Sequence, residues 1–178
     1  MYLFTDRSLV TMAHGIVFGG AALMGLAAAL FYLYAAARQP GEGAAPPGGP
    51  RSLSRLLVLT AAALWLAVLS GTYAVFPPYR ATPPAGATDL SAYPRALVLA
   101  NPATAWLHAF AMEIKEHAPW IAAMLATSVA FVSVRYRSWM VADPALRRMA
   151  SVLLAVALAL VSLVSLLGIF VNKAAPLQ

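Results

Sequence analysis

Four long apolar stretches take up most of this chain, and they decide what it can fold into. The first runs from Leu9 to Ala37 without an Asp, Glu, Lys or Arg. Leu53–Phe76, Trp120–Val134 and Leu146–Val171 follow, with the charges gathered mostly at their ends. Crossing the hydrocarbon core of a bilayer takes about 20 apolar residues. A chain of 178 residues therefore holds four crossings and little else.

Composition agrees. Apolar residues make up 62% of the chain and charged ones 10%, where about 25% is usual for a soluble domain. Mean hydropathy is +0.77. A soluble enzyme and a disordered chain are both excluded. The absence of cysteine rules out disulfides, thiolate metal sites, cysteine-ligated iron–sulfur clusters and covalent c-type haem.

The local signals set the boundaries. Ala35-Ala36-Ala37 offers a cleavage site for a signal peptide, but the apolar stretch before it is about twice a normal signal core and lacks a basic start. A retained helix is expected. Residues 39–50, QPGEGAAPPGGP, read as a flexible linker, and Pro77-Pro78 should end the second helix. Asn101-Pro102 and Asp143-Pro144 are helix starts: the side chain caps free N–H groups, and proline needs no donor in the first turn. Pro119 should kink the third helix near Lys115. The expected architecture is an all-α integral membrane protein, one four-transmembrane-helix bundle over 1–178. Its helices cover about 8–37, 53–76, 102–137 and 145–171, with a linker at 38–52 and a loop at 77–101.

Charge sets the expected orientation. Segments 38–55 and 135–148 carry seven arginines against Glu42 and Asp143, net +5. The rest carries Arg7, Arg80, Arg95, Lys115 and Lys173 against four acids, net +1. The positive-inside rule then makes both termini and the 77–101 loop extracytoplasmic. In a membrane chain this basic excess records topology, so nucleic acid is not an expected partner.

Counting residues back from the arginines puts His14, Tyr79, His108, Glu113, Lys115, His117 and Lys173 in one layer near the outer membrane surface. Ionisable residues at such depth are functional candidates when they face a bundle interior. At 100° per residue His108 shares a face with Lys115, and Glu113 shares one with His117. Di-metal bundle sites need Glu-x-x-His and carboxylates from other helices, which are missing. A zinc on His108, His117 and a glutamate stays open, as does a plain charge network at a helix start.

His14 stands beside Gly15 and Gly19, a GxxxG surface fit for close helix packing. Haem b needs two axial imidazoles and basic groups near its propionates. His14 with His108 or His117 supplies the first, and Arg80, Lys115 and Lys173 supply the second. Ser151, Ser162, Ser165 and Asn172 share a face of the fourth helix that should point inward. Trp106, Trp120, Trp139, Tyr2 and Tyr79 suit interfacial belts. Gly15, Gly19, Tyr79 and Arg80 are the expected partner contacts, since Tyr and Arg anchor interfaces.

The expected function is a small membrane subunit of a bacterial respiratory or photosynthetic electron-transfer complex. It would hold haem b or border a quinone near the outer face, and would sit in the bacterial inner membrane among other subunits. A cofactor-free structural subunit is the alternative. An independent enzyme or transporter is the weakest reading, for want of a catalytic pair or an inverted repeat.

Overall fold

The computed structural model describes residues 5–38 and 49–176, which form helices, turns and loops without a strand. Four helices are long and apolar enough to cross a membrane: α1 (Asp6–Arg38), α2 (Gly49–Tyr79), α4 (Pro102–Arg135) and α6 (Pro144–Ala174). Two short helices join them, α3 (Pro94–Ala100) and α5 (Arg137–Ala142). Tyr2 and most of the 38–52 linker lie outside the described residues.

Each long helix packs on its neighbours in sequence, and α6 closes the ring on α1. The contact surfaces are built from small residues alternating with leucine, including Ala22, Leu26 and Ala29 on α1 and Ala122, Ala123 and Ala126 on α4. Such surfaces let backbones approach closely, which drives helix association where lipid gives no hydrophobic gain. The tightest approach is at Gly25. A Cβ there would sit 2.1 Å from Thr60 Oγ1, so α1 and α2 meet at a position that only glycine permits. Gly15 has nothing within 4 Å of a notional Cβ, and Gly19 meets only its own helix at the His14 carbonyl. Thus the GxxxG surface does not serve packing inside this chain. The bundle is apolar outside as well: Met24, Phe31, Leu59 and Phe131 are each about 70% exposed. A soluble surface would not carry that pattern.

Buried hydroxyls are mostly satisfied by carbonyls. Thr60 donates to Leu56 O at 2.8 Å, and Ser54 donates across to Ser133 O at 2.7 Å, pinning the start of α2 to the end of α4. Trp65 Nε1 donates to Thr127 Oγ1 at 2.9 Å. Tyr32 Oη is buried without a partner among the described residues.

Both expected caps are present. Asn101 Oδ1 accepts from Ala103 N at 2.9 Å, and Asp143 Oδ1 accepts from Ala145 N at 2.7 Å. Elsewhere the structure departs from the sequence reading. α2 continues through Pro77-Pro78 to Tyr79, because a π-helical segment, Gly71–Val75, precedes them. A widened turn moves aside the carbonyls that the proline rings would otherwise strike. Pro119 lies within the regular part of α4, and the departure from α geometry falls earlier, at Leu107–Ala111. The serine face of α6 points only partly inward: Ser151 and Ser165 are half-buried, Ser162 and Asn172 are exposed, and Ala150, Leu154, Ala157 and Val161 form the buried stripe. Spacing alone grouped the serines, but the Ala/Leu stripe one flank away fits the neighbouring helices more closely.

The 77–101 connection is largely ordered by its own chain. Val98 of α3 is fully buried against Tyr79, Leu107 and Leu167 in a second apolar core at this end. Asp89 Oδ1 closes a turn by accepting from Ser91 N at 2.9 Å, and the backbone and side-chain bonds from Ser91 hold its carboxyl below the usual carboxylate range.

Candidate functional site

Three π-helical segments lie toward the same end of the bundle: Ala13–Gly19 in α1, Gly71–Val75 in α2 and Leu107–Ala111 in α4. Such segments cluster at functional sites, because an extra residue in a turn re-aims side chains. Two of the three carry a histidine, His14 and His108.

The His14 ring is held by α2. Its Nδ1 lies 3.1 Å from Ser70 Oγ, while the Ser70 hydroxyl is 2.6 Å from Leu66 O. The hydroxyl has one proton and gives it to the carbonyl, so Nδ1 carries the proton and donates to Ser70. The Ala67 carbonyl is a further hydrogen-bond partner of the ring. Gly71 makes the room: a Cβ there would come 2.7 Å from His14 Cε1. Lys115 of α4 acts electrostatically on the same ring, and its Nζ lies 3.4 Å from where a Gly168 Cβ would stand on α6. All four long helices thus contribute to one half-buried polar locus. Lys115 has no hydrogen-bond or ion-pair partner among the described residues.

His108 belongs to a separate pair. Its Nδ1 lies 3.0 Å from Tyr79 Oη, with ring centroids 6.0 Å apart. Tyr79 stacks on Phe76, and the Arg80 guanidinium covers the Phe76 ring at 5.3 Å. Arg95 and Glu116 act electrostatically on both Tyr79 and His108.

The expected histidine pair is not brought together. Ser70 and Tyr79, which hold His14 and His108, are nine residues apart on α2, about 13 Å along a helix. His117 is exposed, with Nδ1 2.8 Å from Glu113 O in its own helix, and lies two residues from the inward-facing Lys115. That spacing turns it to the other side of α4. No group of three or more His, Asp or Glu able to hold a metal occurs among the described residues, which removes the zinc reading of His108, His117 and a glutamate. The expected charge network does not form as drawn, because His117 bonds a carbonyl and not a carboxylate.

Of the basic candidates, Lys115 faces the locus, whereas Arg80 and Lys173 are exposed at its rim. Tyr79 needs correction as a partner anchor and belt residue: it is 5% exposed and belongs to the chain's own core. Trp106 and Trp139 are exposed at opposite ends of α4 and just beyond it, as a belt requires. Sequence reasoning missed Ser70 and Gly71. Ser-Gly does interrupt an otherwise apolar helix, but Ser70 lies 15 residues from Arg55 while His14 lies 24 from Arg38, so counting residues did not pair them. No protein-family model matches this chain, and neither a curated protein nor a solved structure matches it.

Proposed function

We propose that the chain is a small membrane subunit of a bacterial respiratory or photosynthetic electron-transfer complex, bordering a redox group at the end where its histidines gather. In this reading it sits in the inner membrane with both termini and the 77–101 connection outside, among partner subunits. The observation that carries the proposal is His14: an imidazole within a membrane-spanning helix, held at Nδ1 by Ser70 and bonded to the Ala67 carbonyl. That second contact is what orients a metal-ligating or hydrogen-bonding imidazole.

Two redox groups suit the locus. For haem b, His14 would be one axial ligand and Lys115 a cation for a propionate. Since His108 pairs with Tyr79 and His117 is exposed on its own helix, a second imidazole would in this reading have to come from a partner subunit. For a quinone, His14 and Lys115 would hold a carbonyl oxygen, and the Tyr79–His108 pair would be placed to pass protons toward the surface. Either group supplies the electron chemistry, while the chain's own residues orient it and neutralise its charge.

A structural subunit without a cofactor is the second reading. It is favoured by Gly15, which opens onto free surface beside the exposed Ile16 and Val17 and invites a partner helix.

Purification of the chain with its native partners tests the choice. Reduced-minus-oxidised spectra and solvent extraction should recover a b-type haem or a quinone, and His14→Ala should lose it. A folded complex with neither group leaves the structural reading. Orientation is read separately: the chain has no cysteine, so Ala85→Cys should label from outside and Gly43→Cys should not.

A further inference from the structure

The opposite end of the bundle carries a site of different character. A groove of about 750 Å³ opens where α2 begins and α4 gives way to α5, lined by Arg51, Arg135, Arg137, Tyr136, Ser138 and Trp139, among others. Three arginines from two separate parts of the chain line it. The arrangement is built in by the fold. Ser54 donates to the Ser133 carbonyl, which holds the first turn of α2 against the last turn of α4, with Arg51 and Arg135 close by in sequence on either side. The backbone then turns at Tyr136 (φ −125°, ψ 48°), so Arg137 starts a new helix and joins the same groove.

Among the described residues no carboxylate lines the groove. Asp143, the described acid at this end, is committed to capping α6 through Ala145 N and Leu146 N. Arg147 is turned away to the Val141 carbonyl. The Arg135 guanidinium stacks on the Tyr136 ring at 5.3 Å, which keeps its donor edges free. Trp139 is 63% exposed and Tyr136 48%, the exposure of aromatic residues at a membrane–water boundary. The groove therefore lies at headgroup depth, beside apolar helix surface that acyl chains would cover.

We infer that this groove is a binding site for the anionic phosphodiester headgroup of a membrane phospholipid, gripped by Arg51, Arg135 and Arg137. Arginine suits the task because its planar fork pairs two donors with two phosphate oxygens. Basic pockets at helix ends are a recognised class of lipid-headgroup site. At about a factor of five per arginine near the surface, the three together give roughly a hundredfold preference for an anionic over a zwitterionic headgroup.

Native mass spectrometry of the detergent-purified protein tests this, with phosphatidylglycerol and phosphatidylcholine titrated separately. Phosphatidylglycerol adducts should appear at about a hundredfold lower lipid concentration. R51Q, R135Q and R137Q should each cut that preference about fivefold, and the triple variant should abolish it. The exposed single variants serve even if the triple one does not fold, with circular dichroism as the control. Lys173→Gln, at the other end, should change nothing. Equal retention of the two lipids, or an undiminished preference in the variants, overturns the inference. Displacement of the lipid by millimolar inorganic phosphate also overturns it, because the site would then belong to free phosphate.

Discussion

A methyl group added at Gly71 should disturb His14 while leaving the bundle standing. The new Cβ would stand 2.7 Å from His14 Cε1 and 3.4 Å from both ring nitrogens. Carbon atoms rest at about 3.5–4.0 Å, so the ring has to retreat by about 1 Å. It is the far end of a rotatable side chain, so it can do so without moving a helix. The 3.1 Å contact from Nδ1 to Ser70 Oγ then passes beyond hydrogen-bond range. Losing that bond costs about 0.5–1.5 kcal/mol. Replacing a helical glycine by alanine returns about 0.5–1 kcal/mol. The net change in stability should therefore stay within about 1 kcal/mol. The assay is ring nitrogen-15 NMR on histidine-labelled protein, since the chain has three histidines and each ring resolves separately. Wild type should show His14 with its proton on Nδ1. Gly71→Ala and Ser70→Ala should both lose that signature, while His108 and His117 keep theirs. An unchanged His14 spectrum in Gly71→Ala would refute the reasoning, and so would a collapse of the thermal transition.

Three further outcomes follow from the packing, each read by thermal unfolding in detergent. Gly25→Ala forces a Cβ to 2.1 Å from Thr60 Oγ1 and breaks the Thr60–Leu56 bond, costing about 2–4 kcal/mol, and adding Thr60→Ala should recover most of it. Tyr32→Phe removes a buried hydroxyl without a partner and should stabilise the protein by about 1 kcal/mol, whereas a loss would mean that the hydroxyl is satisfied. Tyr79→Phe should cost about 1 kcal/mol and alter the His108 ring signal alone, because it removes the hydroxyl and keeps the buried ring.

Features that arise within one helix were legible in the sequence. Span lengths follow from hydropathy, and the caps at Asn101 and Asp143 involve atoms two or three residues apart. Simple periodicity puts His108 and Lys115 on one face, but the π-helical segment Leu107–Ala111 intervenes, and His108 pairs with Tyr79 while Lys115 stands by His14. What failed depends on which neighbour arrives. Gly15 and Gly19 announce that a backbone can be approached, yet the approach falls at Gly25, because Thr60 stands opposite. In helices this rich in alanine, small-residue spacing recurs too often to select one face. Tyr79 read as a surface anchor because the chain after it is rich in proline. Its burial depends on α3 folding back, and that turns on Val98 finding an apolar recess between α2, α4 and α6. The candidate site was half legible: the histidines and Tyr79 were named, but Ser70 and the pairing of Tyr79 with His108 were not.

The three π-helical segments have a consequence for how this chain tolerates insertions and deletions. Each is an α-helix carrying surplus backbone, so removing one residue from 13–19, 71–75 or 107–111 can restore a regular helix of at least 30 residues, about 45 Å, in every case. Such a deletion would not shorten a span below bilayer thickness. The flanking turns would stay in register, because the surplus residue is absorbed in the widened turn, and the side chains within the segment would be re-aimed. Segment 13–19 holds His14 itself, 71–75 separates Ser70 from Tyr79, and 107–111 separates His108 from Lys115. The membrane-crossing register and the aim of the polar side chains are thus encoded in separate stretches of the same helices. A one-residue deletion can abolish the second while sparing the first.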